Sequence, residues 1–128
     1  MTVPEGILCS RSHEYLLEND LNYDIGLTDY AVERLGDIVF VELPEVGTFF
    51  EKGEVFATVE SVRAASEIYM PISGTIIEIN EKVIESPDIL NNDPFNEGWL
   101  IKVESETAAL DSGDLLEYED YKDEVMYR

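Results

Sequence analysis

The sequence predicts a mainly β protein that folds as one domain. Short runs of alternating apolar and polar residues recur along the chain and are separated by turn residues, which is the pattern of half-buried strands. Helical periodicity is confined to a few places. At 128 residues the chain is long enough to bury one core but too short for two cores of ordinary size. We therefore expect a single domain over residues 1–128.

The first half of the chain contains predicted strands and one short helix. Strands are expected over residues 7–10, 14–18, 22–27 and 37–43. Thr28 is a suitable N-cap and Gly36 a suitable helix end, so a helix of about two turns is expected between them. In the strand that follows, alternation predicts that Val39, Val41 and Leu43 share one face.

The second half repeats the strand pattern around an interruption. Strands are expected over residues 55–60, 68–72, 75–79 and 99–103. Residues 61–65 break the alternation, and Gly53 and Gly74 lie at similar distances on either side of Arg63, where the chain can turn sharply. This weak symmetry places Arg63 at the exposed tip of a hairpin between two similar half-sheets.

The C-terminal segment changes from strand to helix periodicity. Over residues 110–126 the spacing of Leu115, Tyr118 and Val125 puts them on one face, and acidic residues surround them. We expect one helix there that covers an end of the sheet.

Composition excludes several classes of function. The formal net charge of -21, from 29 acidic and 8 basic residues, repels nucleic acid and anionic lipid. The acidic surface could steer the chain toward basic docking surfaces or could serve only solubility. A lone cysteine, Cys9, excludes an internal disulfide, and with one histidine there is no Cys/His set for zinc. We expect Cys9 to be a small buried residue, not the partner of His13 in a catalytic pair.

The sequence contains no membrane-spanning or targeting signal. There is no unbroken run of about 20 apolar residues, and the N-terminus lacks the basic start and apolar stretch of a secretory signal. A cytoplasmic protein is expected, with a mature organellar matrix chain as the alternative.

Several short sequence strings match a known protein family in their order and in their spacing along the chain. They are Ser12-His13-Glu14-Tyr15, Gly26-Leu27-Thr28-Asp29, residues 36–45, residues 60–66, Pro71-Ile72-Ser73-Gly74 and Gly98-Trp99. Along nearly its whole length the chain resembles the H proteins of the glycine cleavage system. The resemblance implies a hybrid barrel, or barrel-sandwich, of two antiparallel sheets with short peripheral helices.

The resemblance implies a monomeric carrier protein with no catalytic site of its own. In the family, a lysine-linked lipoyl arm takes an aminomethyl group from glycine decarboxylase and delivers it to the aminomethyltransferase. The arm is then reoxidised by dihydrolipoamide dehydrogenase. Lipoate supplies the sulfur chemistry, and the protein supplies attachment and orientation. Enzymes that attach lipoate are further implied partners.

The resemblance also implies site residues. The positions that match the family's amine-holding residues are Ser12, Glu14 and Glu67, and carboxylates suit a cationic amine. Glu60 matches a residue recognised by lipoate-attaching enzymes. The alternative interpretation is that Glu14 and Glu67 are solvated members of a very acidic surface.

Position 63 departs from the family, because Arg63 stands where the lipoyl-lysine belongs. Lipoylation needs an amine that can attack an activated acyl group, and a guanidinium stays protonated with delocalised lone pairs. The nearest lysines, Lys52 and Lys82, lie outside the two predicted strands that flank the tip. A shift of the hairpin register by one residue would therefore not bring either lysine to the tip. The sequence therefore predicts that lipoate is absent here. It leaves two hypotheses: an H protein without its carrier lysine, or a cofactor-free binding or regulatory module that docks on lipoate-handling enzymes.

Overall fold

The computed structural model describes residues 2–126 and contains ten strands and five α-helices in that range. The strands are β1 (Leu8–Cys9), β2 (Glu14–Asn19), β3 (Asn22–Leu27), β4 (Ile38–Glu42), β5 (Phe49–Phe50), β6 (Val55–Ser61), β7 (Ala65–Tyr69), β8 (Gly74–Ile79), β9 (Ile101–Glu104) and β10 (Leu116–Glu117). The helices are α1 (Asp29–Leu35), α2 (Glu81–Glu85), α3 (Ile89–Asn92), α4 (Ala108–Asp111) and α5 (Tyr118–Met126). None of these helices is long and apolar enough to cross a bilayer.

The strands form two antiparallel sheets. The larger sheet has seven strands in the order β10-β1-β2-β3-β9-β8-β5, and the smaller one has three in the order β4-β6-β7. Apolar side chains from both sheets meet in one core, which includes Ile25, Ile76 and Ile101 from the large sheet and Val41 and Val59 from the small one. A mainly β fold of two antiparallel sheets with short helices is confirmed.

Helix α1 begins and ends at the predicted residues. The Thr28 hydroxyl accepts a hydrogen bond from the Ala31 amide at 3.2 Å, which satisfies one of the free donors of the first turn. Gly36 follows the last turn with φ of 78°, a conformation that glycine adopts without steric cost. Local capping chemistry therefore determined both ends of this helix.

The predicted alternation along β4 is wrong. Ile38 and Val41 are buried, at 4% and 2% exposure, whereas Val39 and Phe40 are both exposed. The register between β4 and β6 shifts between Ile38 and Phe40, which marks a β-bulge. An extra residue in one strand turns two consecutive side chains away from the core, so a simple period of two fails here.

The prediction of one continuous C-terminal helix over residues 110–126 is also wrong. Helix α4 runs into a 3-10 turn at Ser112–Asp114, and Leu116–Glu117 then pairs with β1 before α5 begins. Glycine at position 113 is a poor helix former, and Ser112 and Asp114 are side chains that compete with helical backbone bonds. Leu115 therefore lies outside α5, whose buried residues are Tyr121 and Val125.

Candidate functional site

The hairpin tip is a tight turn between β6 and β7. Glu60 pairs with Ala65 across the two strands, and the Ser61 amide donates to the Ala64 carbonyl at 2.8 Å. The Ser61 hydroxyl accepts from the amides of Arg63 and Ala64 at 3.1 and 3.2 Å. The structure places Arg63 at this exposed tip as predicted. Both strands belong to the three-stranded sheet, however, so the hairpin does not lie between two half-sheets.

The Arg63 side chain folds back onto the C-terminal end of α1. Its Nη1 donates to the Arg34 carbonyl at 3.0 Å, and a β-carbon placed on Gly36 would lie only 3.2 Å from its Nε. Next to it, the Val62 amide donates to the Asp37 carbonyl at 3.0 Å. The last carbonyls of a helix carry partial negative charge, so the guanidinium is attracted there and acts as a cap.

A second group of predicted site residues surrounds Glu14, whose side chain is buried. Glu14 Oε1 accepts from the Ser10 hydroxyl at 2.7 Å and from the Ser12 hydroxyl at 2.5 Å. Glu14 Oε2 accepts from the Tyr69 amide at 3.1 Å. Burial raises the pKa of the Glu14 carboxyl, and the hydrogen bonds from Ser12, Ser10 and Tyr69 oppose that rise. At 1% exposure, Glu14 is not a solvated member of the acidic surface.

A shallow pocket of 450 Å³ lies at this network. Its lining includes the three partners of Glu14, which are Ser10, Ser12 and Tyr69. Lys52 also lines the pocket. Its ammonium group donates hydrogen bonds to the Asp114 carboxylate and the Asp111 carbonyl. The pocket therefore combines hydroxyl groups beside a buried carboxyl with the cationic side chains of Arg11 and Lys52 and with apolar side chains such as Met70 and Leu115.

The structure does not bring all predicted site residues together. Glu67 is exposed on β7 opposite Thr58, and the hydrogen bonds that join Ser12 to Glu14 within residues 2–126 do not include it. Glu60 is also exposed, between Phe40 and Ala65 in neighbouring strands. From Ala65 to Tyr69, β7 spans about 13 Å at the usual strand rise. The tip and the Glu14 pocket are thus two separate places along one strand.

Sequence reasoning missed two partners of Glu14, the Ser10 hydroxyl and the Tyr69 amide. Ser10 could have been found, because two serines lie within four residues of the acid, and the positive φ of His13, 75°, folds this segment into a turn. The Tyr69 amide is 55 residues away along the chain, and no local signal indicates it.

The Cys9 thiol is no nucleophile in this fold. Cys9 is fully buried, as predicted, and burial raises the pKa of its thiol to about 12. A thiol that stays protonated at neutral pH is inert. Within residues 2–126 no cluster of three or more His, Cys, Asp or Glu side chains could hold a metal ion.

Two antiparallel sheets with short peripheral helices and an exposed hairpin tip define a lipoyl-domain-like, barrel-sandwich fold. A crystal structure of a glycine cleavage system H protein from Mycobacterium marinum is similar, with a TM-score of 0.86 and 34% identity over 95% of this chain and 98% of that one. The sequence model of the glycine cleavage H-protein matches residues 7–127. The chain therefore belongs to the glycine cleavage H-protein family, which confirms the resemblance.

Curated relatives agree along nearly the whole chain. A glycine cleavage system H protein from Prochlorococcus marinus strain MIT 9312 is 46% identical over 123 residues, which cover 96% of this chain and 95% of that protein. One from Carboxydothermus hydrogenoformans is 50% identical over 121 residues, which cover 94% and 92%. The family consists of lipoyl carriers, not catalysts, and this favours the H-protein role over a cofactor-free docking module. The relatives are bacterial and give the organellar alternative no support.

Proposed function

We propose that this chain is an H-protein scaffold of the glycine cleavage system that cannot be lipoylated at the tip of its hairpin. The observation that supports the proposal is Arg63, which occupies the tip and whose guanidinium contacts the end of α1. The family's lipoyl group is attached through a lysine amine, and this residue does not fit it. A guanidinium keeps its proton above pH 12 or so and has no localised lone pair to attack an acyl group.

The two lysines nearest to position 63 in the sequence do not replace the missing amine. Lys52 is engaged with Asp114 and the Asp111 carbonyl, at the turn that precedes Gly53. Lys82 lies in α2, beyond the strand that follows the hairpin. Neither lysine lies in the turn between β6 and β7. An enzyme that recognises this turn therefore finds no amine there to modify.

The pocket beside Glu14 supports an H-protein origin of the scaffold. A carboxyl that accepts three hydrogen bonds from Ser10, Ser12 and Tyr69 still has a free lone pair on Oε2, which a cationic amine could share. We assign Ser12 and Glu14 to amine binding, and Glu67 only to the surrounding negative charge. Glu60 is assigned to contact with lipoate-attaching enzymes.

The proposed partners are those of the family: glycine decarboxylase, aminomethyltransferase and dihydrolipoamide dehydrogenase. A cytoplasmic monomer is the proposed state of the chain. Docking on these partners does not require the missing amine, whereas transfer of an aminomethyl group through position 63 does.

The first prediction tests the chemistry of position 63. The native chain, Arg63→Lys and Arg63→Gln are each incubated with a lipoate ligase, lipoate and ATP, and then weighed by mass spectrometry with peptide mapping. Only Arg63→Lys should gain one lipoyl group, at position 63, because only it has an amine there. Arg63→Gln is the matched control that keeps a hydrogen-bond donor but has no amine.

Two results would contradict the proposal. A lipoyl group mapped to the hairpin turn of the native chain would contradict the proposal itself, and one mapped to a lysine elsewhere would contradict the inference that no other lysine replaces the missing amine. An unmodified Arg63→Lys chain, folded as judged by circular dichroism, would show that the scaffold is not one that lipoate-attaching enzymes accept.

A further inference from the structure

A pocket of 780 Å³ opens between the turn that joins β2 to β3 and the edge strand β5. Its lining includes two apolar side chains, Leu21 and Phe49, and three carboxylates, Glu51, Glu104 and Glu106. We name it the far-end pocket. It shares no lining residue with the 450 Å³ pocket described above, so it is a separate site.

The far-end pocket is remote from the hairpin turn. Strand β7 runs from the turn to Tyr69, and β8 then starts at Gly74 in the pocket wall and ends at Ile79. The helices after β8 lie on the side of the turn, because Asn91 in α3 accepts a hydrogen bond from the amide of Ile38, which pairs with the end of β6. A partner bound in the far-end pocket therefore leaves the hairpin turn uncovered.

Strand pairing determines the spacing of the two apolar side chains. Phe49 opposes Thr75, and Thr75 opposes Glu104, so these three side chains point to the same side of the large sheet. Strand β3 is the next strand, and Leu21 lies in the turn that precedes it. Since neighbouring strands lie about 4.8 Å apart, Phe49 and Leu21 are separated by three strand spacings, or about 14 Å, with Glu104 between them.

Both apolar side chains are available for contact. Leu21 is 92% exposed, and Phe49 is 58% exposed. Phe49 belongs to the edge strand of the large sheet, so within residues 2–126 no further strand covers its outer edge. A single exposed leucine is ordinary, but two exposed apolar side chains around one concave surface mark an interaction site.

The carboxylates of the pocket lack cationic partners. Glu51, Glu104 and Glu106 form no ion pair within residues 2–126. The carboxylate of Asp111, which also lines the pocket, already accepts two hydrogen bonds. Lys52 follows Glu51 in the sequence, but it lines the other pocket and forms an ion pair there. Free carboxylates between apolar side chains are complementary to a basic residue between apolar residues.

We propose that the far-end pocket binds an extended segment of a partner protein in which an apolar, a basic and an apolar residue occupy alternate positions. Alternate side chains of an extended chain point to the same side, and residues four positions apart are separated by about 13 Å. That separation matches the distance between Leu21 and Phe49. The two apolar residues of the partner pack on these side chains, and its Lys or Arg meets Glu104.

The charge of the chain argues against a second copy as the occupant. With 29 acidic and 8 basic residues, two copies repel each other. The inference does not rest on the proposed function, because position 63 takes no part in it. It gives the scaffold a binding surface that works whether or not the hairpin turn is modified.

A synthetic peptide tests the binding. The probe is fluorescein-labelled acetyl-Lys-Leu-Ser-Arg-Ser-Leu-Lys-amide, and the matched control peptide has serine in place of both leucines and so carries the same charge. Fluorescence anisotropy with the native chain at about 0.15 M sodium chloride gives both values of Kd. The leucine peptide should bind at least about fivefold more tightly than the serine peptide, because only it packs on the two apolar side chains.

Variants of the chain locate the binding. Leu21→Ser should weaken binding of the leucine peptide about fivefold. Val39→Ser removes an apolar side chain of 56% exposure from the small sheet and should stay within about twofold of the native chain. Thermal unfolding confirms that both variants are folded.

A second pair of variants separates the pocket from the overall charge. The double variant Glu104→Gln and Glu106→Gln should weaken binding about fivefold or more. The double variant Glu81→Gln and Glu85→Gln, in α2, lowers the net charge of the chain by the same amount and should have less than half that effect on Kd.

Three results would overturn the proposal. Equal affinity for the two peptides would show that the chain attracts cations without an apolar contact. Equal weakening by the pocket variants and by their controls would show that the peptide does not bind in the far-end pocket. Absence of saturable binding up to about 1 mM peptide would show that the pocket does not bind such a segment. None of these results depends on whether the chain can be lipoylated.

Discussion

At position 63 the family's lysine, whose amine is a nucleophile, is replaced by an arginine, whose planar guanidinium donates hydrogen bonds but is not a nucleophile. The loss of the amine follows from the residue type alone. The contact with the Arg34 carbonyl and with Gly36 does not, because these residues lie 27 to 29 positions earlier in the chain. Gly36 leaves room for the guanidinium, since any side chain there would meet it. Arg63 therefore has a structural role at the end of α1.

Replacement of Arg63 should measure that role. Arg63→Ala should lower the free energy of unfolding by about 0.5–1 kcal/mol, the usual size of a favourable charge at a helix end. Arg63→Lys should lose less, because it keeps the charge but not the planar fork. Denaturant unfolding gives the free energies. Hydrogen exchange of the Val62 amide should accelerate in Arg63→Ala while that of Thr58 stays constant, and unchanged exchange at Val62 would contradict the capping role.

At the scale of elements, a buried tyrosine is one of the side chains that join the C-terminal helix to the rest of the fold. The Tyr121 hydroxyl is 2.8 Å from the Thr28 hydroxyl, which caps α1, and 2.9 Å from His13 Nδ1. Tyr121 and Thr28 are both buried. Helix α5 is thus joined to the start of α1 and to the turn before β2. This connection, together with the hydrogen bond from Tyr118 to Asp29, holds α5 against α1.

Removal of that hydroxyl should loosen α5. Tyr121→Phe should lower the free energy of unfolding by about 1–2 kcal/mol, because it leaves the buried Thr28 hydroxyl without this partner. Limited proteolysis should cut within α5 sooner than in the native chain. Tyr69→Phe is the control, since the hydroxyl of Tyr69 makes no hydrogen bond within residues 2–126. Equal stability of the two variants would show that the Tyr121 hydroxyl contributes nothing.

At the scale of the whole molecule, electrostatic repulsion dominates. The chain carries 29 acidic and 8 basic residues, and within residues 2–126 only four ion pairs form. Of these, the pair of Lys102 with Asp24 is the most buried. Most acidic groups therefore interact with like charges, which destabilises the compact state.

Added salt should stabilise the folded chain. Screening of like charges outweighs the loss of a few exposed ion pairs, so the free energy of unfolding should rise by on the order of 1 kcal/mol between about 20 mM and 0.5 M sodium chloride, or roughly 4 °C in Tm. Differential scanning calorimetry measures the shift. Potassium chloride should give the same curve, because the effect is screening. A Tm that falls with salt would mean that the ion pairs outweigh the repulsion.

Local sequence chemistry was enough for those features whose causes lie within a few residues. Alternating side chains indicated most of the strands, although β7 (Ala65–Tyr69) lies three residues before the predicted range 68–72. Thr28 and Gly36 marked the ends of α1 because capping acts within one turn. The turn between β6 and β7 was recognised from an interrupted pattern. The short elements β5, α2 and α3 were missed, since two to five residues carry too little periodicity to detect.

The sequence by itself determined the mainly β class, the acidic charge, the exposed position of Arg63 and the loss of its nucleophile, because each depends on residue type and local pattern. Only the tertiary structure decided that Arg63 caps α1, that Ser10 and the Tyr69 amide complete the surroundings of Glu14, and that Phe40 faces outward. Those features depend on pairing between segments far apart in the chain and on one inserted residue in β4. The local sequence pattern does not predict which residue of a distant strand or helix a given side chain will contact.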